Sequence, residues 1–125
     1  MILEIDGNKN ISTIQKEFNS MFPYLKLEFF KHAHGTYQTN AKKDMLNSNL
    51  ALKQFSKKPT HGKLEVKDNM KVSDLESSFQ TLFNLSVQVF RKSAGTWIET
   101  SVTDDWTLRQ QNDEGKDLSD FMKNI

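Results

Sequence analysis

Residues 2–22 read ILEIDGNKNISTIQKEFNSMF, and residues 63–83 read KLEVKDNMKVSDLESSFQTLF. With an offset of 61, Leu3-Glu4-Ile5 lies over Leu64-Glu65-Val66, Asn8 over Asn69, Ile11-Ser12 over Val72-Ser73, Phe18 over Phe79 and Phe22 over Phe83. Six of the twenty positions from 3 to 22 are identical, against about one expected from ordinary composition. One residue is then lost and the offset becomes 60. Phe30-Lys31 now meets Phe90-Arg91, Gly35-Thr36-Tyr37 meets Gly95-Thr96-Trp97, and Asp44 meets Asp104. A period of about sixty exceeds the roughly 20 to 50 residues of common solenoid repeats. The expectation is a duplicated α+β module with copies at 1–61 and 62–125, joined at the proline- and glycine-bearing junction Lys57-Lys58-Pro59-Thr60-His61-Gly62.

Each copy opens on a short β-rich stretch, residues 2–5 and 63–66, and continues into a helix. Ser12 with Gln15 and Ser73 with Glu76 have the spacing of a capping box, in which a hydroxyl and a longer side chain satisfy backbone N–H groups at a helix start. Ile14, Phe18, Met21 and Phe22 then recur at helical spacing, as do Leu75, Phe79, Leu82 and Phe83, giving each helix one apolar stripe. Leu25-Lys26-Leu27-Glu28-Phe29 and Leu85-Ser86-Val87-Gln88-Val89 alternate with the period of a half-buried strand. Gly35 and Gly95 mark reversals, read as type I turns with glycine left-handed because alanine suits the positive φ of a type I′ turn poorly. Return strands are expected over 36–40 and 96–102, followed by a helix over 48–57 in the first copy. In the second copy a short helix is expected to open at Asp105-Trp106-Thr107-Leu108, with Asp105 as its cap, and to stop before Gly115, leaving a last turn over 117–123. A unit of about sixty residues is near the lower limit for an independent core, so the copies are expected to share one. The fold class is α+β: a duplicated βαββ(α) unit with about six strands in a mainly antiparallel sheet and two long helices on one face.

The order of Leu64-Glu65-Val66 as strand, 72–83 as helix and 87–91 as strand, followed by Asp105-Trp106-Thr107-Leu108, resembles the ubiquitin-like β-grasp family over about fifty residues. The diglycine tail on which that family's conjugation depends is absent, so the resemblance implies a fold and no conjugating activity. Val89-Phe90-Arg91-Lys92-Ser93 and Thr103-Asp104-Asp105-Trp106-Thr107-Leu108 are also similar to phrases in small proteins of Bacteroidetes-type bacteria, a likeness that implies no activity.

The chain has no cysteine, which excludes thiol nucleophiles, disulfides and cysteine-bound zinc. No apolar run approaches the ~20 residues of a spanning helix, and the opening six residues lack the order of a secretion signal. A cytoplasmic protein with no membrane partner is expected. There is no phosphate-binding glycine loop, no G-x-S-x-G and no H-E-x-x-H, so no catalytic residue, cofactor or metal ligand is assigned and the chain is read as a non-enzyme. His32-x-His34 is read as turn histidines, and Asp104-Asp105 beside Glu99 as an acidic cluster without the spacing of a calcium loop.

The candidate surface follows from alternation. Phe30 must point opposite to Leu27 and Phe29, and Phe90 opposite to Val87 and Val89. With helices on one face, both rings fall on the other, Phe90 near Lys92 and Ile98. Phe30, Lys31, Phe90, Arg91, Lys92 and Trp97 are thus the expected interaction residues, for self-association or another protein. Aromatic residues among cations on a sheet also suit single-stranded nucleic acid, but a net charge of +1 is far from a basic footprint. An enzyme of unrecognised mechanism is the third alternative. The charge is divided, with nine lysines against five acids in 1–61 and eight bases against eleven acids in 62–125, a polarity that favours acidic partners on the first half or attraction between copies.

Overall fold

The computed structural model describes residues 1–31, 42–55 and 61–124. It is an α+β protein. Five strands run Ile2–Asp6 (β1), Leu25–Phe30 (β2), His61–Glu65 (β3), Ser86–Ser93 (β4) and Thr96–Glu99 (β5). The helices are Ile11–Met21 (α1), Val72–Phe83 (α2) and Leu108–Lys123 (α3). No described helix is long and apolar enough to cross a membrane.

The strands form two antiparallel sheets among the described residues, not the single six-stranded sheet expected. β1 pairs with β3, Leu3 opposite Leu64. The second sheet has the order β2-β4-β5, with Glu28 opposite Gln88 and Leu27 opposite Val89. Alternation specifies which residues face inward but not which strand is the neighbour. Here both sheets turn an apolar face to the same interior: Leu3, Ile5 and Leu64 from one, Leu25, Leu27, Phe29, Val87 and Val89 from the other. Ile14, Phe18 and Phe22 of the first stripe, with Met21 partly buried beside them, and Leu75, Phe79 and Phe83 of the second enter the same core, α1 packing on β2 and α2 on β4, whereas Leu82, expected in the second stripe, is exposed. Phe79 of α2 meets the Phe29 ring edge-on at 5.9 Å. The return strand expected over 36–40, with Gly35, His32 and His34, lies outside the described residues.

The capping boxes do not form. α1 and α2 begin two residues earlier than that reading requires, after Asn10 and Lys71, neither of which caps through its side chain. Their first N–H groups find distant carbonyls instead, which removes the need for a hydroxyl cap. Ile11 and Ser12 donate to Leu50 O and Ser48 O, and Val72 and Ser73 donate to Trp106 O and Asp104 O. In return Leu52 and Lys53 donate to Lys9 O and Gly7 O, and Leu108 and Arg109 donate to Met70 O and Asp68 O. Over its described residues 48–55, the segment expected as a helix over 48–57 is instead a turn, an isolated bridge at Ala51 and one 3₁₀ turn at Leu52–Gln54 with Leu52 buried. The fully formed capping box belongs to α3, where the Thr107 hydroxyl accepts from Gln110 N–H and Gln110 Oε1 accepts from Thr107 N–H. Thr107, not Asp105, is its cap.

α3 is continuous through Gly115 because it seats there against the sheet. A Cβ at Gly115 would lie 2.8 Å from Tyr24 Cβ and 3.3 Å from Lys92 O, closer than packed carbons approach. Glycine lets the helix lie on the β2–β4 end without displacing it.

Candidate functional site

The β4–β5 hairpin closes through two residues, Ala94 at φ 49° and Gly95 at φ 84°, with Ser93 paired to Thr96. Two consecutive positive φ values make this a type I′ reversal, so alanine occupies the left-handed position from which the sequence reading had excluded it. The shorter loop changes the register, and a one-residue change of register exchanges faces. Phe90 lies opposite Glu99, and Lys92 opposite Trp97, while Ile98 lies opposite Arg91 on the other side. The expected neighbours Phe90, Lys92 and Ile98 are thus corrected to Phe90, Lys92, Trp97 and Glu99.

Phe30 and Phe90 are outside the central core, as alternation requires. They are not open rings, however: Phe30 is 3% exposed and Phe90 8%. Phe30 bridges to Met45, where Lys31 N–H donates to Asp44 O and Leu46 N–H to Phe29 O along the outer side of β2. Lys31 itself is exposed. Phe90 lies under the Lys26 ammonium, 5.5 Å from its centroid, and the same ammonium stands 5.2 Å from the centroid of Trp97. Lys26 also pairs with Glu28 at 3.5 Å. A cation held over two rings is favourable by about 0.5–1 kcal/mol at a surface site and leaves the Phe90 face too covered for a base to stack on it. Lys92 and Trp97 remain half-buried.

Arg91 leaves this group and turns to α3. Its Nη1 donates to Gln111 Oε1 at 2.8 Å, and its guanidinium stands 5.8 Å from the Trp106 centroid. Gln111, fully buried, donates to Thr103 O and Oγ1 at 2.8 and 2.7 Å. Arg91 is therefore a strut between sheet and helix.

A buried carboxyl lies where β5 parts from β4. Thr100 N–H and Oγ–H both donate to Val89 O, at 3.2 and 2.9 Å, and Val89 N–H donates to Glu76 Oε2 at 3.0 Å. Glu76 is 7% exposed. Burial pushes its carboxyl up to about 8, the Val89 N–H opposes this, and the nearby Asp104 and Glu99 carboxylates add to the rise. Burial raises Glu99 as well, and its buried Oε2 has no hydrogen-bond partner among the described residues. The acidic cluster read as Asp104-Asp105 with Glu99 is in fact Glu76, Asp104 and Glu99, since Asp105 is exposed. No group of three acidic or histidine side chains among the described residues is arranged to hold a metal ion.

Sequence reasoning missed Lys26 and Glu76. Lys26 was legible as the outward residue of the alternating run 25–29. Glu76 was hidden by its second plausible role, as the far end of a capping box.

Comparison with protein-family models, with curated proteins and with solved structures finds no match.

Proposed function

We propose that the chain is a non-catalytic protein-binding module made of two copies of one unit, 1–61 and 62–125, and that the β4–β5 hairpin is its binding surface. Duplication is supported by the backbone pairs at the helix starts. Each of the four bonds in the first half has a partner in the second, at an offset of 61 on the helix side (Ile11 and Val72, Ser12 and Ser73, Lys9 and Met70, Gly7 and Asp68) and 56 on the other (Leu50 and Trp106, Ser48 and Asp104, Leu52 and Leu108, Lys53 and Arg109), so that Asp104 corresponds to Ser48 and not to Asp44 as the sequence offset had it. Leu3 opposite Leu64 and Glu28 opposite Gln88 are also mutual equivalents, at offsets of 61 and 60. Antiparallel pairing of equivalent residues is the arrangement an isologous dimer would have, here within one chain.

The observation that carries the binding surface is the outer edge of β5. No described strand pairs with it. Edges left open to solvent are ordinarily blunted by shortness, charge or proline; β5 is short and ends in Glu99, but its Thr96-Trp97-Ile98 run carries neither charge nor proline. Ile98 is 38% exposed, and Val102 just beyond the strand 79%. Strand addition to such an edge takes main-chain hydrogen bonds for affinity and alternate side chains for specificity.

A photo-crosslinking amino acid placed at Trp97 in cells tests this, with Leu82 on α2, 55% exposed, as the control position. A discrete adduct to protein from position 97 and none from 82 is the expected result. No adduct from 97, or the same adducts from both positions, would overturn the proposal.

A further inference from the structure

The edge of β5 has a sense and a charge order that specify what can pair with it. Thr100 and Val89 share a hydrogen bond across the ladder. In an antiparallel pair, hydrogen-bonded positions alternate, so Thr96 and Ile98 direct their backbone groups toward β4. The N–H and C=O groups of Trp97 and Glu99 point outward. An antiparallel partner must therefore bond to Trp97 and Glu99 and lie side by side with Ile98.

Resting on the reading of this hairpin as the binding surface, we infer that the partner is a second copy of the same chain, joined through antiparallel β5–β5′ pairing with Ile98 facing Ile98 across the two-fold axis. In this register Trp97 of each copy exchanges hydrogen bonds with Glu99 of the other, and the outward backbone groups of both residues are used. Centring the pairing on Glu99 instead would set two carboxylates face to face, a repulsive arrangement. Centring it on Trp97 would leave each Glu99 beside Gly95, away from any cation.

Charge complementarity selects the chosen register. Lys92 is the residue opposite Trp97 on β4, and the Lys26 ammonium over Trp97 is accompanied by Glu28 at 3.5 Å, so it is Lys92 that makes this end of the edge cationic. The other end carries Glu99, half-buried and on the same face of the strand as Trp97. Two-fold antiparallel pairing brings the cationic end of each copy to the acidic end of the other. It also covers both Ile98 side chains, which lie on the side of the sheet opposite Trp97, and joins two three-stranded sheets into one of six.

The chain contains no cysteine, so a single introduced cysteine reports on one position. Facing residues of a non-hydrogen-bonded antiparallel pair have Cα atoms about 4.5 Å apart, within the range a disulfide spans. The Ile98→Cys protein is expected to oxidise in a glutathione buffer to a disulfide dimer in majority yield, while Leu82→Cys, at a position more exposed than Ile98, remains monomeric. Sedimentation of the unmodified chain is expected to give twice the monomer mass of 14.5 kDa. A monomer in sedimentation, together with no more linkage at 98 than at 82, overturns the second-copy inference. If the crosslinker at 97 nonetheless captures a different protein, the hairpin remains the binding surface and only its occupant changes; if it captures nothing, both readings fall.

Discussion

Replacing Glu76 with glutamine is expected to stabilise the protein by about 2 to 4 kcal/mol at pH 8 and to leave stability near pH 4 almost unchanged. The direction follows from proton linkage. The carboxyl has an ordinary value of 4.5 and is raised to about 8 in the folded chain, chiefly by burial. The folded state therefore holds a proton that the unfolded state has already released. Its contribution is fully present below about pH 4.5 and is lost as pH rises toward about 8, at up to about 1.4 kcal/mol per pH unit. Glu99, raised by burial, acts in the same direction, and Asp104 is the other carboxylate facing the group. Glutamine has no proton to lose, and its Oε1 accepts the Val89 N–H as the carboxylate does. The residue at the offset-61 position is already glutamine: Gln15, whose Nε2 donates to Leu27 O at 2.7 Å. Thermal melts of both proteins from pH 4 to 9 measure the effect. The Glu76 protein is expected to lose on the order of 10 °C across the range relative to the glutamine variant. Parallel curves would show that Glu76 is not held protonated.

Phe79→Ala is expected to destabilise the fold by about 3 to 5 kcal/mol. Phe79 has no exposure and touches both Phe29, edge-on at 5.9 Å, and Phe83 at 6.2 Å. Its ring joins a helix of the second half to a strand of the first, so the cavity left by alanine has walls from both and little freedom to collapse. Phe90→Ala is the informative contrast. That ring lies outside the main core and under a single lysine, and its truncation is expected to cost roughly half as much or less. Chemical denaturation of the two variants gives the comparison through their midpoints, and equal losses would contradict the assignment of Phe79 to the centre of a shared core.

What the sequence made legible was what one-dimensional periodicity encodes. The stripes of α1 and α2 apart from the exposed Leu82, the alternation of β2 and β4, and the opposite facing of Phe30 and Phe90 all follow from spacing and appear in the structure. What it concealed was decided by contacts far apart in the chain. The helix starts are satisfied by carbonyls 31 to 39 residues away, from Ser73 with Asp104 to Ile11 with Leu50, so local cap patterns misled. Strand partners depend on which apolar faces share an interior, and the short opening strands β1 and β3 found each other rather than the longer ones. The hairpin register turned on one alanine adopting a positive φ, at a cost of roughly 1 kcal/mol that the flanking ladder absorbs. The candidate surface moved with it: Trp97 and Lys92 stayed, Phe90 was covered, Arg91 turned to α3, and Lys26 and Glu99 joined.

Among the described residues, two of the three strand pairings, β1 with β3 and β2 with β4, join residues of the first half to residues of the second. Only β4 with β5 lies within one half. If the halves are copies interlocked about a common core, neither folds without the other. The direct test is to produce residues 1–60 and 61–125 as separate polypeptides and follow each, and their mixture, by circular dichroism and amide proton dispersion. Each alone is expected to be unfolded, and an equimolar mixture to recover the spectrum and cooperative melting of the intact chain. Cooperative folding of either fragment on its own, or failure of the mixture to fold, would contradict the account.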